Sequence, residues 1–306
     1  MENTKLKAKG IVLDLDGTIV DSKEAYLEAV KTAFKMTGKR TINVKIVTEI
    51  PKRLEQNLPI KDLLKGIDAQ KFLHAYLNAY YQNTSTKTKP LPKISDTLKK
   101  LSEKAKLALI TMRYVPKEKV IKELEKFGLA KYFQYIITAL DTHDPKPSPE
   151  ALIKCAKQLD IQICECVVVG DSVADIKAGK NAGAKTVAVL SGIFSRQELE
   201  SEKPDLILES VKKLPDFLEA IDLYHSFTLA TLVEALRIKH NPIHYDFRMR
   251  YIHYELPPKT IKKLEHLYFI KDEKDLQEKY RKATRWFQKT MLEIKLEEVE
   301  RLIKKS

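Results

Sequence analysis

Two carboxylates stand two residues apart in Asp14-Leu15-Asp16-Gly17-Thr18, where the apolar run 10–14 ends. A pair so placed can divide the labour of a displacement, one carboxylate attacking while the other carries the proton. Gly17 and Thr18 follow at once, and their small size lets backbone amides approach an anion. Further along, Thr111 closes the run KLALIT, Lys146 opens KPSP, and Asp171 follows CVVVG four residues ahead of Asp175. These groups supply a hydroxyl, a cation able to offset repulsion between carboxylate and phosphate, and hard oxygen donors for a divalent ion. Each piece alone is ordinary: a strand-end Asp, a turn Gly, a Lys before Pro.

Taken in order, the four motifs resemble those of the haloacid dehalogenase superfamily, and the resemblance spans roughly residues 8–222. It implies that Asp14 forms an aspartyl-phosphate, and that Asp16 first protonates the leaving alcohol and then activates water. It further implies that Thr18 and Thr111 meet the phosphoryl group, Thr111 through both hydroxyl and backbone amide, and that Lys146 neutralises it. Mg²⁺ would sit on Asp14, the backbone carbonyl of Asp16 and Asp171, with Asp175 as an additional ligand or a support to the others. Relatives that cleave carbon–halogen or carbon–phosphorus bonds usually lack the second aspartate, so Asp16 points to phosphoester or phosphoanhydride chemistry. The expected substrate is a small phosphorylated molecule, phosphoglycolate or a sugar phosphate. A phosphomutase uses the same aspartate pair, and the motifs do not separate the two.

To converge, these residues need strands that end together. Apolar runs at 10–14, 106–111, 135–138, 166–171, 184–190 and 205–210 read as strands, and the patterns at 115–127, 148–159 and 173–182 read as helices between them. Such alternation predicts an α/β, Rossmann-like parallel sheet, whose carboxyl-end crevice gathers Asp14, Thr111 and Asp171. Residues 21–90 interrupt it with the helical patterns EAYLEAVKTAF, IKDLLKGI and AQKFLHAYLNAYY, an inserted cap between core segments 1–20 and 91–222. Lys52 and Arg53, in the turn-like TEIPKRLEQ, and Arg113 beyond Thr111 are the cations placed to grip a second anionic group of the substrate. Solvated surface charge is the alternative for each.

The chain of 306 residues carries a net charge of +13, which suits phosphorylated substrates as well as nucleic acid. Cys155, Cys164 and Cys166 lack zinc-site spacing, and no apolar run reaches membrane-spanning length, so a cytoplasmic protein with reduced thiols is expected. From 223 onward the composition shifts: 11 of the 24 aromatic residues fall there, with 18 Lys and Arg against 12 Asp and Glu. Residues 223–306 therefore read as a separate, mostly helical domain. Its stripe Leu276, Tyr280, Ala283, Phe287, Met291, Ile294 is expected to pack on other tail helices or on a second copy. The cluster His240, His244, Asp246, His253 reads as structural. Arg248 and Arg250 among Tyr245, Phe247, Tyr251 and Tyr254 would suit RNA, although no RNA-binding motif is present.

Overall fold

The computed structural model describes residues 8–38, 44–56, 58–240 and 256–303. Its strands are β1 (Gly10–Asp14), β2 (Val20–Asp21), β3 (Lys89–Pro90), β4 (Lys106–Ile110), β5 (Tyr135–Ile137), β6 (Cys166–Gly170), β7 (Lys185–Val189) and β8 (Leu206–Leu208). Six of them form a parallel sheet in the order β5-β4-β1-β6-β7-β8. β1 and β6 are buried along their whole length, which is why they read as unbroken apolar runs rather than alternating ones. Register does the rest: Asp14 lies opposite Ile110, and Leu13 opposite Val169. Asp14, Thr111 and Asp171 consequently leave the sheet at the same edge, where connections from the central strand diverge and a crevice opens.

The cap consists of α1 (Lys23–Met36), α2 (Val44–Glu55), α3 (Lys61–Leu64) and α4 (Ala69–Lys87). β2 and β3 pair antiparallel at its entrance and exit, with Val20 opposite Pro90 and Asp21 opposite Lys89. Its helices have their own core, where Phe34 meets Phe72 at 4.8 Å and Tyr26 stacks on Tyr80 at 5.1 Å. Burying each such ring contributes on the order of 1.5–3 kcal/mol, enough to let the cap hold its shape as a body. TEIPKRLEQ is not a turn: Pro51 sits inside α2. Its helix survives the proline because Val47 and Ile50 are buried in the cap core, and that packing outweighs the lost backbone bond.

On the core side run α5 (Ile94–Ser102), α6 (Lys117–Lys126), α7 (Glu150–Gln158), α8 (Val173–Ala182) and α9 (Arg196–Ser201). Ser172 and Asp175 form a reciprocal capping box that starts α8 immediately after β6. Cys155 and Cys166 are buried free thiols and Cys164 is exposed.

Backbone proximity divides the chain into units Met1–Pro215 and Asp216–Ser306, a division inside α10 (Leu214–Leu223). A π-helical stretch, Tyr224–Leu229, leads into α11 (Ala230–His240), and α12 (Pro258–Tyr268) and α13 (Glu273–Ile303) follow. Within this unit the Tyr224 hydroxyl donates to the Leu267 carbonyl at 3.0 Å, and His225 stacks on Tyr268 at 4.5 Å. The buried line on α13 differs from the expected stripe. Lys279, Ala283 and Thr290 are buried, whereas Tyr280 and Met291 are exposed. Lys279 tolerates its place because its ammonium donates to the Phe269 carbonyl and pairs with Asp275. His244, Asp246, His253, Arg248, Arg250 and the aromatic residues interleaved with those arginines lie outside the described residues. Among the described residues, no helix is long and apolar enough to cross a membrane.

Candidate active site

Lys146 organises the crevice. Its ammonium donates to Asp14 Oδ1 and to Asp175 Oδ1, each at 2.6 Å, and all three side chains are buried. Asp171 joins from the end of β6, and carboxylate oxygens of Asp14, Asp171 and Asp175 lie within 4.8 Å of one another. Burial pushes the Asp14 carboxyl up to about 7 against the pull of Lys146, with Asp175 adding repulsion. Asp171 is raised well above the ordinary carboxylate range by burial, then by Glu55 and Asp14. Lys146 is also raised above its ordinary value: burial alone would lower it, but Asp14 and Asp175 more than offset that.

One ammonium among three buried carboxylates leaves negative charge uncompensated, and such charge calls for a hard cation. The packing around Asp171 agrees. A Cβ built on Gly17, whose φ is 82°, would lie 2.4 Å from Asp171 Oδ2, and one on Gly192 would lie 1.5 Å from the same atom. Two glycines thus wrap a carboxylate that any larger residue would displace. The donor set therefore fits a magnesium-type ion on Asp14 and Asp171. Asp175, in the same carboxylate cluster, accepts from Lys146 and from the backbone amide and hydroxyl of Ser172. Thr18 turns its hydroxyl toward Asp171 at 3.3 Å.

Asp16 points away from this cluster. Arg113 clamps it with two bonds of 2.7 Å, Nε to Oδ2 and Nη2 to Oδ1, and its third nitrogen, Nη1, donates to Glu123 at 2.5 Å. Ser22 and Tyr80 also donate to Asp16. Burial alone would raise this carboxyl; the guanidinium wins and holds it below the ordinary range. Thr111 keeps its hydroxyl at the edge, where it accepts from the Arg113 amide at 3.2 Å. Its own backbone amide is spent on the Ile137 carbonyl at 3.0 Å, so only the hydroxyl is left for a phosphoryl oxygen.

Lys52 and Arg53 are not drawn into this group. Lys52 pairs with Glu198 at 2.7 Å, and Arg53 with Asp62 at 2.6 Å and Glu49 at 3.0 Å. The sequence reading missed Glu55, Tyr80, Ser22 and Gly192. Ser22 follows the first motif closely and could have been found by its nearness; the others reach the site only through packing.

A parallel sheet with an inserted helical cap and clustered carboxylates at its strand ends defines a capped, Rossmann-like α/β protein. The chain belongs to the haloacid dehalogenase-like hydrolases, whose family model matches residues 11–189. It is 28% identical over 215 residues to pyrophosphatase PpaX of Halalkalibacterium halodurans, an alignment covering 69% of this chain and 95% of that one. It is 30% identical over 210 residues to phosphoglycolate phosphatase of Aquifex aeolicus, covering 68% and 96%. Among solved structures, a haloacid dehalogenase-like hydrolase from Bacteroides fragilis aligns with a TM-score of 0.59 at 22% identity, over 68% of this chain and all of that one.

Proposed function

We propose that the protein is a Mg²⁺-dependent phosphatase acting on a small phosphomonoester through an aspartyl-phosphate on Asp14. The observation that carries the reading is the Lys146 ammonium, bonded to Asp14 and Asp175 beside Asp171. An anionic nucleophile can approach an anionic phosphate only if the repulsion is offset, and a buried ammonium on the nucleophile itself does this. A bound Mg²⁺ would supply further charge neutralisation on the transferring group. Names of relatives, phosphoglycolate phosphatase and pyrophosphatase, support the same reaction class.

In the first half-reaction an Asp14 oxygen attacks phosphorus and the bond to the leaving oxygen breaks; Asp16 supplies the proton for the alkoxide only when substrate binding has protonated it against the pull of Arg113. Water then attacks phosphorus, Asp16 takes its proton, and inorganic phosphate and free Asp14 result. Arg113 is a positioning residue here: its two bonds fix the Asp16 carboxylate in one orientation. Tyr80 and Ser22 hold the same group from the cap side. The Thr111 hydroxyl is free to donate to a phosphoryl oxygen while it accepts from the Arg113 amide.

Phosphate release by the wild type and Asp14→Asn, measured on small phosphoesters and pyrophosphate with and without Mg²⁺, tests the reading. Turnover that requires Mg²⁺ and falls by at least about a thousandfold in the variant is expected, since removing a nucleophile typically costs more than that. Isomerisation of a sugar phosphate without phosphate release would overturn it in favour of a mutase.

A further inference from the structure

Beside Asp16 the cap closes over a cavity of about 260 Å³, with Met112 and Arg113 on its core side and Glu55, Tyr26, Tyr76 and Tyr80 among its cap residues. That volume lies below the roughly 300–1,000 Å³ of pockets for drug-sized ligands, so its occupant is small. The aromatic wall is rigid. Tyr80 stacks on Tyr26 at 5.1 Å and on Tyr76 at 6.1 Å, with interplanar angles of 8° and 7°.

Glu55, the last residue of α2, breaks the apolar lining. Its Oε2 is shut off from solvent and has no hydrogen-bond partner. Buried carboxylate oxygens are normally paired, and one left unpaired at the wall of a cavity can accept from a donor brought by water or by a ligand. The cations that might instead receive an anionic ligand are committed elsewhere. Arg113 pairs its charge with Asp16 and Glu123, Lys52 pairs with Glu198, and Arg53 pairs with Glu49 and Asp62. A ligand carboxylate in this cavity would face the Asp16 carboxylate, with Arg113, the cation among the described residues that line it, already paired with Asp16 and Glu123.

Resting on the phosphatase reading, we propose that Glu55 selects phosphomonoesters whose alcohol half donates hydrogen bonds and lays an apolar or CH face on the tyrosines, and rejects those whose alcohol half carries a carboxylate. The donor can be a sugar hydroxyl or an ammonium group; both place a hydrogen on Oε2 and differ only in charge. Within this enzyme, phosphoglycolate is then a poor substrate.

The test compares kcat/KM of the full-length protein with Mg²⁺ on phosphoglycolate, phosphoethanolamine and a hexose 6-phosphate. Wild type should favour one of the donor-bearing esters over phosphoglycolate by at least about tenfold, the scale of one hydrogen bond to a charged group. Glu55→Gln should shrink that ratio and Glu55→Lys should reverse it. A ratio taken within one variant is independent of how much of that variant folds. If the ammonium ester loses far more than the hexose ester in Glu55→Gln, the donor is a cation; equal losses point to hydroxyls. A wild-type preference for phosphoglycolate, or a ratio unmoved by both substitutions, overturns the role of Glu55 while leaving the phosphatase intact. Hydrolysis of p-nitrophenyl phosphate by the wild type and its loss in Asp14→Asn check the underlying reaction separately, and absence of phosphate release from every ester would overturn both.

Discussion

At the scale of single residues, the centre depends on how few positive charges serve many negative ones. Removing Lys146 strands Asp14 and Asp175 as buried, unpaired carboxylates. Lys146→Met in chelated buffer is therefore expected to destabilise the protein by about 3–5 kcal/mol, read from urea midpoints, in addition to losing phosphatase activity. Gly192 makes a different demand, because any Cβ there collides with Asp171. Gly192→Ala should weaken Mg²⁺ binding by roughly 10–100-fold in calorimetric titration, the usual cost of disturbing a group that orients a ligand. The loop that carries Lys146 is clamped by Glu150, which accepts from the amides of His143 and Asp144 and pairs with Lys154 at 2.7 Å. These bonds, that of the Asp144 amide first, hold the Glu150 carboxyl at about 2, below its ordinary 4.5. With the folded value depressed, its contribution is complete above 4.5 and is lost as pH falls toward 2. Glu150→Gln should accordingly lower the thermal midpoint at neutral pH, and the gap to wild type should close in acid; a gap independent of pH would contradict the clamp.

Between elements, the main question is what ties the cap to the core. Besides the β2–β3 ribbon, the Lys52–Glu198 pair joins α2 to α9, with side chains 15% and 39% exposed. For a pair this accessible a double-mutant cycle with Lys52→Met and Glu198→Gln should give a coupling of about 0.5–1 kcal/mol, shrinking as salt is added. The same helix marks where sequence reasoning reaches its limit. The strands were legible because a strand buried on both faces must be apolar throughout, and Asp14, Thr111 and Asp171 were legible because each ends such a run. α2 was not, since Pro51 reads locally as a break and only burial of Val47 and Ile50 in the cap core overrides it. With α2 taken for a turn, Lys52 and Arg53 looked free to meet substrate. The helix instead commits both to carboxylates and turns Glu55 toward the cavity. The clamp of Arg113 on Asp16 was equally hidden: the residues are far apart in sequence, and nothing local announces that this guanidinium and this carboxylate will share two bonds.

On the scale of the whole molecule, the family match at residues 11–189 falls within the unit Met1–Pro215. Alignments that take in 68–69% of this chain cover 95–96% of the relatives from Halalkalibacterium halodurans and Aquifex aeolicus, so in those proteins the shared part is nearly the entire chain. Each group placed at the site here, from Asp14 to Gly192, lies in the unit Met1–Pro215. The change in aromatic content past residue 223 announced that something new begins, but a helix that buries Lys279 and exposes Tyr280 does not follow the stripe its sequence suggests. Cutting at the division itself would split α10, whose Leu214, Phe217 and Leu218 are buried, so the informative truncation ends after Leu223. A chain of residues 1–223 is expected to keep kcat/KM within about threefold of the full protein on the best phosphoester, a difference of less than about 1 kcal/mol in the barrier. Circular dichroism would confirm that the shortened chain folds. A folded but inactive truncation would show that residues 224–306 contribute to catalysis, and the site built here from the first unit would then be incomplete.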